Sequence, residues 1–189
     1  MRIRKAEITD AAAIHDIYAP YVLNTAITFD YEVPDIKEFE GRIERTLCNY
    51  PYFVAEEDGQ VVGYAYAGLF RTRIAYRHCV EVSIYIDQSR HGVGIGRMLY
   101  QKLEEALIRQ NIYILYACIT ATCREDDGNL NDDSIRFHKK MGYQLVGKHN
   151  LCGYKFGRWY DVVWMEKVIA QRPEVPDSFI PFRDIGDDH

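Results

Sequence analysis

Ala11, Ile14, Ile17, Tyr18, Tyr21 and Val22 recur at helical spacing behind Thr9-Asp10, a pair that offers an N-cap. Pro20 sits inside that pattern and predicts a bend or an end near it. Ile36, Phe39, Ile43 and Leu47 predict a second helix from Asp35 to about Asn49, with a charged opposite face. Arg2 to Ala6 reads as a short first strand. Tyr52–Glu57 and Gln60–Leu69 flank Asp58-Gly59 and predict a hairpin. Cys79 to Asp87 is the clearest strand. Val80, Val82, Ile84 and Ile86 share one face, and Glu81, Ser83, Tyr85 and Asp87 share the other. Arg97 to Gln110 predicts an amphipathic helix through Met98, Leu99, Leu103, Ala106 and Leu107. The continuous apolar run from Tyr113 to Ala121 predicts a strand covered on both faces. Ser134 to Met141 reads as a short helix closed by Gly142. Tyr143–Val146 and Trp159–Lys167 read as final strands, with Gly153 and Gly157 between them.

Phe70 to Arg77 is a basic, aromatic connection, and Cys123 to Asp133 is a polar, acidic loop. After Ile169 come Pro173, Pro176 and Pro181 among several acids, a non-helical tail that is either loose or laid over a neighbour. The order β-α-α-β-β-β-α-β-α-β-β predicts an α/β fold around a central mixed sheet. A length of 189 residues suits one domain, taken here as 1–169 with a tail at 170–189. Apolar residues at 48% and charged residues at 27% exclude disorder and coiled coil.

No apolar run approaches the ~20 residues of a membrane span, and no apolar stretch follows the first charges as in a secretory leader. A net charge of −5 disfavours a nucleic-acid partner. Cys48, Cys79, Cys118, Cys123 and Cys152 form no CxxC and read as free thiols of a cytoplasmic protein. The histidines do not pair with them at metal spacing, so no metal is expected.

The chemistry concentrates between Val80 and Gln110. A strand runs into His91-Gly92-Val93-Gly94-Ile95-Gly96 and then a helix. Glycines let backbone N–H groups approach an anion, and the helix N-terminus adds the positive end of its dipole. A Walker loop would need Gly-Lys-Ser/Thr after six residues of spacing. A dinucleotide fingerprint would need a small residue where Arg97 or Leu99 stands. Glycine spacing alone fits a plain turn as well as a phosphate cradle.

His91 to Arg97 after a Glu-bearing strand resembles the acetyl-coenzyme A pyrophosphate loop of the GCN5-related N-acetyltransferases, with His91 at the family's Arg/Gln position. Asn131 to Tyr143 resembles the motif that packs beside the cofactor thiol, with His138 where the family often has tyrosine. Further matches narrow the resemblance to the phosphinothricin N-acetyltransferase subfamily. They are Tyr18 to Ala26 with Phe29, Tyr66-Ala67-Gly68, Arg73 with Tyr76, Val80-Glu81, and Gly153 to Val162. The resemblance spans about residues 2 to 169 and leaves out 124–130 and the tail.

The resemblance implies the acyl-CoA N-acyltransferase fold, a mostly antiparallel sheet flanked by helices. It implies acetyl-CoA as co-substrate and the α-amine of a small amino acid or analogue as acceptor. Glu81 would be the base and His138 the acid or a second base. Ser83, Ile84, Tyr85, Ile86, His91, Gly92, Val93, Gly94, Ile95, Gly96, Arg97 and Asn131 would hold the co-substrate. Phe29, Arg71, Arg73, Tyr76 and Val80 would hold the acceptor, arginine gripping its carboxylate. Subfamily members are typically homodimers. Two other readings stay open: acetylation of a protein N-terminus, which the basic 70–77 loop disfavours, and a non-catalytic acyl-CoA-binding module, which Glu81 and His138 disfavour.

Overall fold

The computed structural model describes residues 1–122, 124 and 127–185; the thiol expected at Cys123 lies outside them. Seven strands, β1 (Arg2–Lys5), β2 (Tyr52–Glu57), β3 (Gln60–Leu69), β4 (Cys79–Ile86), β5 (Ile114–Ala121), β6 (Gln144–Lys155) and β7 (Arg158–Val168), form one sheet. Its order is β1-β2-β3-β4-β5-β7-β6. Four helices accompany it: α1 (Ala11–Asn24), α2 (Ile36–Asn49), α3 (Ile95–Arg109) and α4 (Asp133–Lys140). The element order matches the one the hydrophobic pattern predicts. All neighbours are antiparallel except β4 and β5, which α3 joins as a crossover.

Two clusters sandwich the sheet. Leu99, Tyr100, Leu103 and Leu107 of α3 pack on Val80, Val82, Leu115 and Ala117. Ile14, Ile17, Tyr18 and Tyr21 of α1 pack with Phe39 and Ile43 of α2 on Tyr52, Val54 and Tyr64. The strict alternation of β4 lets one strand serve both sides.

Several expectations are corrected. Helix α1 runs one turn past Pro20, because Tyr21 and Val22 are buried and the Lys155 ammonium holds the Val22 carbonyl at 2.8 Å. Asp10 stands at its N-cap position but does not cap it. Its carboxylate takes both Nη groups of Arg4 at 2.8 Å and the Glu7 N–H. Strand β5 is covered fully on one face and only in part on the other, where Thr120 is buried. Leu115, Ala117 and Ile119 are buried, whereas Cys118 is exposed and Tyr116 partly so. Strand β6 continues to Lys155 rather than stopping at Val146. It is an edge strand with register shifts at 145–147 and 149–153, so Lys148, His149 and Asn150 face water and break the alternation. Of the two courses expected for the tail, the structure shows the one laid over a neighbour: Phe179 and Phe182 pack on Tyr50 and Phe53.

Candidate functional site

Strands β4 and β5 pair only at Cys79–Ile114, Val80–Leu115 and Glu81–Tyr116 and then part. The wedge between them is a cleft lined by Val82, Ser83, Ile84 and Tyr85 on one side and Ala117 to Thr120 on the other. Ile27, Tyr100, Leu130, Ser134 and His138 close it. The β4 edge beyond Glu81 therefore presents backbone N–H and C=O groups without a strand partner, which an extended, amide-bearing ligand can satisfy.

At the far end of β4 the glycine turn takes the conformation its composition demands. Gly92 has φ +83° and Gly94 φ +91°, and a Cβ at either would meet nothing within 4 Å. Gly94 is the N-cap of α3, so the free N–H groups of the first turn face that open space. Gly96 serves another purpose: a Cβ there would lie 3.0 Å from the Phe137 ring, so its absence lets α4 approach α3.

Glu81 lies at the point where the strands part. It is opposite Gly68 of β3, where a Cβ would meet nothing within 4 Å, so space is open beside the carboxylate. Burial raises its pKa, and the nearby Arg71 guanidinium pulls the other way. Arg71 lies over Phe70 at 4.2 Å and Trp164 at 5.3 Å, and donates to the Phe70 carbonyl at 2.7 Å. Tyr76 meets Phe70 edge-on at 5.8 Å. Phe29 packs toward Tyr160, over Gly153, where a Cβ would come within 2.1 Å of its ring.

His138 is buried on α4. Its Nδ1 is 2.7 Å from the Ser134 carbonyl, which can only accept, so Nδ1 carries the proton. Nε2 then accepts from the Tyr100 hydroxyl at 2.9 Å. Burial lowers the imidazole pKa to about 4, against a smaller upward pull from the Ser134 carbonyl. The ring is neutral at neutral pH. Cys118 lines the same cleft, but burial pushes its thiol up to about 11.

Other expected residues are placed differently. Val80 is fully buried in the core on the face opposite Glu81, so its side chain cannot contact an acceptor. The Ile86 side chain packs toward Gly63 and Gly96, and its carbonyl accepts from Tyr21 at 2.5 Å. His91 is exposed, but its Nε2 lies 2.9 Å from the Tyr21 hydroxyl and ties the glycine turn to α1. Asn131 organises the start of α4: Oδ1 accepts the Asp133 N–H at 3.0 Å and Nδ2 donates to the Asp133 carboxylate at 2.7 Å. Ile95 is core, while Val93 and Arg97 are exposed beside the turn. Arg73 is exposed at the head of a short turn and makes no ion pair among the described residues. Tyr100 was not singled out from the sequence; it lies on the apolar face of α3 and reads there as core.

Among the described residues no His/Cys/Asp/Glu group could hold a metal, and no helix is long and apolar enough to cross a membrane. The acetyltransferase (GNAT) domain family model matches residues 3–164. The chain is 34% identical over 167 residues to the phosphinothricin N-acetyltransferase of Streptomyces viridochromogenes, covering 88% of this chain and 87% of that one. It is 35% identical over 179 residues to the L-methionine sulfoximine/L-methionine sulfone acetyltransferase of Salmonella typhimurium, covering 94% and 99%. The crystal structure of a phosphinothricin acetyltransferase from Sinorhizobium meliloti in complex with acetyl-CoA superposes with a TM-score of 0.82 at 32% identity, over 96% of this chain and 98% of that one.

Acetyl-CoA fits the features of this chain. The Gly92–Gly96 N–H groups would hold its pyrophosphate, and the unpaired β4 edge would hold the amides of its arm. Bound there, it supplies the activated acetyl group. A split strand pair beside Glu81, a left-handed glycine turn capping α3 and similarity along most of its length together make this chain a member of the GNAT family of N-acetyltransferases.

Proposed function

We propose that the protein transfers an acetyl group from acetyl-CoA to the α-amine of a small amino acid or amino-acid analogue of the phosphinothricin, methionine sulfoximine or methionine sulfone type. The observation that carries this reading is the placement of Glu81 and Arg71. A half-buried carboxylate with a raised pKa borders open space over Gly68, and a guanidinium held on two aromatic rings lies near it. Arg71 grips the acceptor carboxylate. Glu81 takes the proton shed by the attacking nitrogen. The Tyr100 hydroxyl, held in the cleft by neutral His138, donates to the departing sulfur by letting go of the Nε2 it otherwise serves. The relatives named for such substrates support the same acceptor class.

The protein works as a homodimer in this reading. The β6–β7 hairpin end exposes Leu151, Tyr154, Phe156 and Trp159, an apolar surface suited to a second copy. A cytoplasmic site fits the free thiols Cys48, Cys79, Cys118 and Cys152. A thiol-release assay tests the activity with phosphinothricin, methionine sulfone, methionine sulfoximine and a peptide bearing a free N-terminus. Turnover of the three analogues is expected. Turnover of the peptide alone would overturn the acceptor assignment, and no thiol release with any amine would overturn the enzyme reading.

A further inference from the structure

The geometry points to a specificity subsite: Arg42, in a recess it shares with Arg45, Tyr52, Tyr64 and Tyr66, reads an anionic oxygen group at the end of the acceptor's side chain. This rests on the amino-acid reading of the acceptor and narrows it.

The recess has a volume of about 210 Å³ and lies between α2 and the face of β2 and β3. That is below the ~300 Å³ at which pockets for whole small ligands begin, and suits a head group. Its position relative to Glu81 follows from the sheet register. Gly68 pairs with Glu81 and Tyr66 with Ser83. Tyr66 and Ser83 thus stand opposite each other on the same face, and Ser83 lines the catalytic cleft. Two residues along a strand span about 7 Å. The α-amine and γ-substituent of an amino acid are four bonds apart, roughly 5 Å when extended. An acceptor with its amine at Glu81 and its carboxylate at Arg71 can therefore send its side chain past Gly68 toward Tyr66 and Arg42.

The chemistry of the recess selects the head group. Arg42 donates from Nε to Glu38 at 3.1 Å, and Arg45 reaches the same carboxylate oxygen from Nη2 at 3.1 Å. Two guanidinium groups share one carboxylate, and the next acid, Asp30, is held behind the recess wall by the Tyr18 hydroxyl at 2.8 Å. The Nη groups of Arg42 make no hydrogen bond to a described residue, although the side chain is partly buried over the Phe39 ring at 5.2 Å. The Tyr52 and Tyr64 hydroxyls likewise have no described hydrogen-bond partner. Their phenols, stacked with Tyr66, are pushed up by burial and stay neutral, so they donate without cancelling the charge. A planar guanidinium fork with free Nη donors and neutral hydroxyls beside it matches a phosphinate or carboxylate, not an alkyl or ammonium terminus.

Phosphinothricin and L-norleucine, similar in length but ending in a phosphinate or a methyl group, test this. The parent is expected to favour phosphinothricin in kcat/KM by roughly tenfold or more. Arg42→Gln is expected to lower kcat/KM for phosphinothricin roughly 10- to 150-fold, to leave L-norleucine within about twofold, and to keep the acetyl-CoA KM parental. Arg42→Lys keeps the charge without the fork, and should show a smaller loss confined to phosphinothricin. It also serves if the glutamine variant does not fold. A parent without preference between the two acceptors, or an Arg42 variant that slows both equally or neither, would overturn the subsite while leaving amino-acid acetylation standing. A parent that acetylates neither acceptor but acetylates a peptide would overturn the underlying reading and the subsite with it.

Discussion

The Tyr100 hydroxyl donates to Nε2 of His138 at 2.9 Å while the opposite ring nitrogen donates to the Ser134 carbonyl, so both imidazole nitrogens are engaged and the ring is fixed as one neutral tautomer. A proton can enter this couple only by breaking the bond to Tyr100, and burial opposes the charge that would result. The sign of the effect on stability follows. The folded pKa, about 4, lies below the ordinary histidine value, so the unfolded chain binds the proton first as pH falls. This contribution is fully present above about pH 6.5 and is lost progressively toward pH 4, by up to ~3 kcal/mol. Urea unfolding of the parent and of His138→Gln at pH 7.5 and pH 4.5 measures it. The parent should lose more stability than the variant between the two pH values. Equal losses would show that His138 is not held neutral.

Glu81→Gln keeps the shape of the side chain and removes the base. Turnover should fall by on the order of 10² or more, with acetyl-CoA affinity near parental. Burial raises the Glu81 pKa, so the acid limb of the parent's pH–rate profile should lie above the usual carboxylate range. Activity would be lost as pH falls through that value. The same limb surviving in the variant would assign the base to another group.

Gly94→Asp puts a Cβ and a carboxylate on a residue with φ +91° at the mouth of α3. The left-handed backbone disfavours the side chain by about 1–2 kcal/mol, and the added charge repels phosphate. Acetyl-CoA affinity should drop on the order of tenfold or more. Titration calorimetry with free coenzyme A reads it, and parental affinity would remove the turn from the binding site.

Arg71 and Arg73 separate by environment. Arg71 is fixed on Phe70 and Trp164 beside Glu81, whereas Arg73 is exposed and unpaired among the described residues. Arg71→Met should reduce kcat/KM for methionine sulfone roughly 10- to 150-fold, the range of one charge-assisted contact. Its loss on the corresponding carboxyl-reduced alcohol should be much smaller. Arg73→Ala should cost less than Arg71→Met on methionine sulfone. The reverse ranking would return the carboxylate grip to Arg73.

The hydrophobic pattern by itself determined the element order, because each helix and most strands bury one face and carry its period in the chain: Leu99, Leu103 and Leu107 for α3, Val80 and Val82 for β4. Local chemistry determined the turn at Gly92 and Gly94, since only residues without a Cβ take those φ angles freely. Family-like motifs marked Glu81, His138 and the Arg73–Tyr76 pair with Arg71 beside it, and could not rank the two arginines. The extension of edge strand β6 past Val146 stayed hidden, for its course from Gly147 to Cys152 is mostly exposed, polar and bulged and has no period to read. Tertiary structure alone decided what pairing and burial decide. It parted β4 from β5 after Glu81, and it set neutral His138 against Tyr100, whose position on an apolar helix face looks like packing in the sequence. It gave the side chains of His91 and Asn131 partners in α1 and α4, and it gathered Arg42 with tyrosines from β2 and β3. A side chain's charge state and partners depend on neighbours far along the chain, and those exist only once the sheet has closed around them.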